Sequence, residues 1–297
     1  MYEQISSNKW KSWLTMLAFV GFISLIAYVF TRATDLGPCI FIGAVVFSIA
    51  VAFGSYYYSD RLVLAISRAR PVERDEFPYL YNTIEGLSIA AGLPVPKMYV
   101  IDDPAPNAFA TGRDPEHSAI AVTTGMLEKL NRQELEGVIG HEMSHIQNFD
   151  IRFMTIVAVL AGTVTLMSQW LLRSFWFGGR DRRRDAGQLG IVFLVLAIVL
   201  AILSPIVAQL IKFALSRQRE YLADSSGALL TRYPPGLASA LRKLSSDERP
   251  LRSANQATAH MWIVNPLLEH KNRLNRLFDT HPPIEERIAR LEAMGTG

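Results

Sequence analysis

Residues 137–150 read GVIGHEMSHIQNFD, with two histidines four apart and a glutamate directly after the first. A helix turns about 100° per residue, so His141 and His145 stand one above the other and can direct their rings at one metal ion. Glu142 then flanks that ion, where a carboxylate can take a proton from a bound water. In isolation the same three residues also suit a solvated helix face, so the rest of the chain has to decide between the two readings.

A catalytic zinc keeps three protein donors and leaves a fourth position for water. A histidine six residues after His145 would fall at Ile151, and the glycine that accompanies it would fall at Asn148, which excludes that arrangement. The alternative is a carboxylate on a separate helix. REYLAD, residues 219–224, offers Glu220 with Asp224 one turn further on the same face. An aspartate there can accept from the far nitrogen of a zinc-bound histidine and fix its tautomer. Taken alone, Glu220 beside Arg217 and Arg219 reads as an ordinary surface charge.

Half of the 297 residues are hydrophobic, the net charge is +3 and the pI is near 9.0. Basic residues are scattered among acidic ones without an aromatic-interleaved stripe, which argues against nucleic acid as a partner. The single cysteine, Cys39, lies in an apolar run and cannot form an internal disulfide, so thiol chemistry is not expected. The expected partner is the lipid bilayer. Four runs without a charge, 13–30, 36–59, 153–172 and 186–211, each suffice to cross a hydrocarbon core about 30 Å thick. No small-residue cleavage site closes the first, and a second run follows within a few residues, so it reads as an anchor.

Lys9 and Lys11 precede the first run, and Arg61, Arg68, Arg70 and Arg74 follow the second. Positive residues stay inside, which predicts a cytoplasmic N-terminus and a cytoplasmic histidine motif in an integral membrane protein. The link RSFWFGGRDRRRDAG, residues 173–187, is too rich in arginine for a short outside loop. Either the flanking runs cross regardless, or they form a hairpin that returns to the side it came from.

The soluble parts predict an α+β fold, mainly helical. DEFPYLYNTIEGLSIAAGL (75–93) reads as an amphipathic helix stopped by Gly92 and Pro94. PKMYVID (96–102), NAFATG (107–112) and SAIAVTTGML (118–127) read as strands of a small sheet, the last two joined by the turn GRDPEH. Asn131 and Glu134 form a capping-box pattern at the start of the histidine helix. Gly137 and Gly140 leave room for another element to approach. No proline or glycine separates His145 from the run at 153, so the helix is expected to continue into the membrane. A straight helix would put the metal about 12 Å from that run. The expected organisation is an apolar hairpin over 1–59, a first soluble segment over 60–152 with the small sheet and the histidine helix, a second apolar hairpin over 153–211 and a second soluble segment over 212–297 with Glu220.

HEMSH, then SRQREYLAD, then THPPIEERIARL, with PNAFATG before them and four apolar runs around them, resemble the HtpX-type membrane metalloproteases, relatives of the CAAX prenyl proteases. The resemblance covers nearly the whole chain. It implies a gluzincin-like fold and a membrane zinc endopeptidase that degrades misfolded or damaged membrane proteins under stress, with one Zn2+ per chain. Carried over, it makes His141, His145 and Glu220 the metal donors, Glu142 the general base and Asp224 the carboxylate that orients a histidine. It places Asn107, Ala108, Phe109 and Ala110 on the edge strand along which an extended substrate lies, where main-chain hydrogen bonds give affinity with little demand on sequence. His281 matches a histidine that steadies the oxyanion; followed by Pro282 and Pro283, it reads equally as a residue opening a helix. His117, His260 and His270 have no spaced partner. A catalytically idle scaffold of the same fold, or a narrow CAAX-type processing protease, would use the same framework.

Overall fold

The computed structural model describes residues 2–33, 37–177, 217–254, 258–266 and 282–295. Two long apolar helices, α1 (Tyr2–Ala33) and α2 (Gly37–Ile66), come first. Both are long and apolar enough to cross a membrane. A short strand β1 (Arg70–Pro71) and helix α3 (Pro78–Ala91) follow. Proline opens α3, where the missing N–H costs nothing, and Gly92 ends it at φ 65, a left-handed turn that glycine adopts without strain.

The predicted strands form as β2 (Lys97–Ile101), β3 (Ala108–Gly112) and β4 (Ser118–Thr123). With β1 they make a mixed four-stranded sheet in the order β1-β2-β4-β3. β2 and β4 run parallel, Met98 beside Ile120, while β3 runs antiparallel to β4, Phe109 beside Ala121. β3 is therefore an edge strand. The turn predicted between β3 and β4 is present and contains a single 3-10 turn, Pro115–His117, capped by Asp114.

Helix α4 (Thr124–Lys129) leads into α5 (Arg132–Gln147), which carries the histidine motif. The capping box forms as expected: Asn131 Oδ1 accepts from the Glu134 N–H at 3.0 Å, and Glu134 Oε2 accepts from the Asn131 N–H at 2.8 Å. Leu135, Val138, Ile139 and Ile146 bury the apolar face of α5 in a core shared with Ile120 and Val122 of the sheet and Leu80 and Ile84 of α3.

The helix does not continue straight toward the membrane. α5 stops at Gln147, Asn148 caps it, Phe149 turns left-handed at φ 58, and α6 (Asp150–Phe177) leaves at 83° to α5. The 12 Å estimate falls with the straight helix it assumed. After this bend α6 runs alongside α1 and α2, sharing a cluster of Ile156, Leu160 and Val164 with Met16, Phe19, Ile23 and Ala52. The run at 186–211, residues 178–187 of its arginine-rich link and His270 lie outside the described residues. Helices α7 (Arg217–Thr231) and α8 (Pro234–Ser245) pack against α5, and α9 (Ile284–Gly295) packs against both of them.

Candidate metal centre

Two glycines, one on α5 and one on α7, decide what packs on the histidine helix. A side chain at Gly137 would meet the backbone of Leu237 in α8 at 2.7 Å, and one at Gly227 of α7 would meet the backbone N of His141 at 2.6 Å. Without Cβ atoms there, the backbones close up and α7 lies directly beside the first histidine. That contact delivers Glu220, one turn into α7, to the pair on α5.

His141, His145 and Glu220 are all buried, and their donor atoms lie within 4.8 Å of one another, a group able to hold a metal ion. The two histidine Nε2 atoms are 3.2 Å apart. Glu220 Oε2 is 3.8 Å from His141 Nε2, and Oε1 is 3.6 Å from His145 Nε2. The other ring nitrogens face carboxylates: His141 Nδ1 is 2.9 Å from Asp224 Oδ1, and His145 Nδ1 is 3.1 Å from Asp150 Oδ2. A proton held at each Nδ1 leaves both Nε2 lone pairs directed at the shared space.

Asp224 is itself gripped by Arg287, whose Nε and Nη2 donate to its two oxygens at 2.8 and 2.7 Å. Arg287 also donates through Nη1 to the Ile263 carbonyl at 3.0 Å and lies 3.6 Å from Glu220 Oε2. Burial pushes the Asp224 carboxyl up, but the Arg287 charge and hydrogen bonds outweigh it and hold the group at about 2. Burial pushes the Glu142 carboxyl up to about 7; the Glu220 charge adds to this, while His145 and the Ala110 N–H oppose it. Burial pulls His145 down, yet Asp150 and Glu220 overcome it and raise the ring to about 9. Four carboxylates, Glu142, Asp150, Glu220 and Asp224, thus share the centre with two guanidiniums, Arg219 and Arg287. A centre this rich in carboxylates suits a divalent cation, which would take the place of a proton at His145 Nε2.

The β3 edge stands beside this centre. Asn107 pairs with Thr123, so the main-chain groups of Ala108, Ala110 and Gly112 point away from β4. Ala110 faces Glu142, whereas the Ala108 carbonyl accepts from Ile263 N at 3.0 Å. Asn107 Nδ2 donates to the Val264 carbonyl at 2.8 Å, so the chain's own 263–264 segment lies along the first part of the edge. Phe109 points to the other face and packs edge-on against Trp262, centroids 4.7 Å apart. His281 lies outside the described residues. His117 pairs with Asp114 and His260 Nε2 lies 3.1 Å from the Met154 carbonyl, both apart from the metal group.

Three residues near the centre were not singled out by the sequence reading. Asp150 and Asn8 are brought in by the bend after α5, a tertiary event without a local signature. Arg287 did leave a signal: it shares the helical spacing of Ile284, Ile288 and Leu291, an arginine on an apolar face, and is fully buried.

The model of peptidase family M48 matches residues 74–295. A protease HtpX homolog of Dictyoglomus turgidum is 49% identical over 99% of this chain and 95% of its own length. Those of Caldanaerobacter subterraneus and Lactobacillus acidophilus are 46% and 44% identical, each over 99% of this chain and 98% and 100% of theirs. The crystal structure of S. mikatae Ste24p shares the fold, with a TM-score of 0.53 at 21% identity over 98% of this chain and 67% of that one. By these matches the chain is a membrane metalloprotease of the HtpX type and belongs to peptidase family M48.

Proposed function

We propose that the chain is a zinc-dependent endopeptidase that cuts unfolded or damaged membrane polypeptides on the cytoplasmic side of a bacterial inner membrane. The observation that carries this reading is the buried triplet of His141, His145 and Glu220 with Glu142 on the same helix turn. Donors about 2.1 Å from a tetrahedral ion lie about 3.4 Å apart. The separations here, 3.2, 3.6 and 3.8 Å, fit that spacing. Zinc held by these three residues would acidify a water and polarise the scissile carbonyl.

The protein's own groups supply the rest. Glu142, buried on the same helix turn as the two histidines, would take the water's proton and return it to the leaving amine. Asp224 and Asp150 hold the two imidazoles in the tautomer that leaves Nε2 for the metal. With the Ala110 N–H given to Glu142 and the Ala108 carbonyl to Ile263, the Ala110 carbonyl and the Gly112 main chain are the groups proposed to meet an extended substrate. His281 is the donor proposed for the oxyanion. Lys9 and Lys11 at one end of α1, with Arg61 to Arg74 after α2, favour a cytoplasmic N-terminus. Asn8 meets the bend beside His145, so the active site shares that side.

The test is cleavage of casein by the purified protein. Glu142→Gln should lower the rate at least 10²- to 10⁴-fold while the metal content stays at the parent's level. An undiminished rate in Glu142→Gln, or in parent protein stripped by a chelator, would refute the proposal.

A further inference from the structure

We infer that Asn8, near the start of the first membrane helix, is a positioning residue for the metal site, acting through Asp150 on His145. This rests on the reading of His145 as a metal donor. Asn8 is 2% exposed, although it belongs to a helix whose apolar face is otherwise its main feature. A buried amide must find partners, and its choice is specific. The one Nδ2 group donates to the Asn148 carbonyl at 2.9 Å and to Asp150 Oδ1 at 2.7 Å. The other Asp150 oxygen faces His145 Nδ1 at 3.1 Å. A chain of three side chains therefore leads from α1 to the second histidine.

The same amide grips the backbone of the bend. Asn148 is the last cap of α5, and Phe149 holds a left-handed backbone at φ 58, which is costly for a side chain with a Cβ. Lys9 adds a second hold from α1, its ammonium 4.3 Å from the centre of the Phe149 ring. The bend is what turns Asp150 back toward His145; a straight helix would carry it away. Seating α1 against α6 thus does two things, fixing the bend and fixing the carboxylate that sets the imidazole. The membrane hairpin is then part of the metal site's support and more than an anchor.

The experiment uses the full chain in detergent micelles, with zinc affinity measured by competition against a chromophoric chelator and the visible spectrum recorded after cobalt substitution. Loss of a group that orients a metal ligand costs 10- to 100-fold in affinity. Asn8→Ala, one step further out, should weaken zinc binding about tenfold and shift the cobalt bands. Asn8→Asp, nearly isosteric but setting a carboxylate against Asp150, should weaken it at least as much, and decides the matter if the alanine variant does not fold. In an Asp150→Asn background, Asn8→Ala should cost clearly less affinity than in the parent, because the link through Asp150 is already cut and only the hold on the Asn148 carbonyl remains. Ser12→Ala, which removes only a hydroxyl bond to the Asn8 carbonyl, should leave affinity and spectrum as in the parent. Zinc affinity within twofold of the parent in the folded Asn8 variants, or the same loss with and without Asp150, would overturn the proposal. A parent protein that binds no zinc would overturn the reading of the metal site itself, and this relay with it.

Discussion

Gly227→Ala should damage the metal site without touching any metal donor. A Cβ at this position would sit 2.6 Å from the backbone N of His141 and 2.8 Å from the carbonyl carbon of Gly140, both rigid main-chain atoms in the middle of α5. Ordinary contact begins near 3.4 Å, so α5 and α7 must separate by about 0.8 Å at this point. Overpacking of this kind costs about 1 to 3 kcal/mol. The functional cost is larger than that figure suggests, because metal sites tolerate displacements of about 0.2 Å in donor distance. Glu220 and Asp224 ride on α7, whereas both histidines ride on α5, so the whole displacement falls between donors. Zinc affinity should fall tenfold or more, and the melting temperature in detergent should drop by a few degrees. Gly140→Ala is the milder counterpart, since its Cβ would meet the Gly227 carbonyl at 3.1 Å and the flexible Thr231 side chain at 3.2 Å. Parental zinc affinity in Gly227→Ala, or a larger loss in Gly140→Ala, would refute the reasoning that helix contact sets the donor geometry.

Glu134 links stability to pH. Burial raises its carboxyl, but Lys243, Ser239 and the Asn131 N–H outweigh that and hold it below the ordinary value of 4.5. A depressed folded value means the stabilisation is present above about pH 4.5 and is lost as pH falls through the folded value. Glu134→Gln should therefore lower stability by about 1 to 3 kcal/mol at pH 7, a gap that narrows on acidification below pH 4.5 in thermal melts of metal-free protein; a gap constant with pH would contradict the assignment. Sidedness can be read from the single native thiol. Cys39 is exposed at the start of α2, at the other end of α1 from Asn8, so with the proposed cytoplasmic N-terminus an impermeant maleimide should label it in intact cells. Ile89→Cys on exposed α3, in a Cys39→Ser chain, should label only after the membrane is opened; the reverse pattern would put the active site outside.

Much of the site was legible because its signals are local. His141, Glu142 and His145 announce themselves by helical spacing, Glu220 and Asp224 by the same spacing on a second helix, and the capping box by Asn131 and Glu134. The strands showed through β-branched alternation and the turn residues around GRDPEH. What stayed hidden depends on contacts distant in sequence. The bend after α5 has neither glycine nor proline; it rests on Asn148 as a cap, Phe149 in a left-handed conformation and a clamp from Asn8, 140 residues earlier. Asp150 becomes a partner of His145 only once that bend exists. The arginine at 287 was visible as an oddity on an apolar face, but its role needs Asp224 and the Ile263 carbonyl, which no spacing reveals. The segment 263–264 along β3 likewise follows from the tertiary fold, where Ile263 N donates to the Ala108 carbonyl.

The central claim is that two histidines of α5 and a glutamate of α7 together hold one zinc ion. The direct measurement is the zinc content of the purified full chain beside that of Glu220→Ala, by elemental analysis after removal of loosely bound metal. The expected result is about one zinc per chain in the parent and well under a tenth of that in the variant. Equal zinc in both proteins, or none in the parent, would contradict the account.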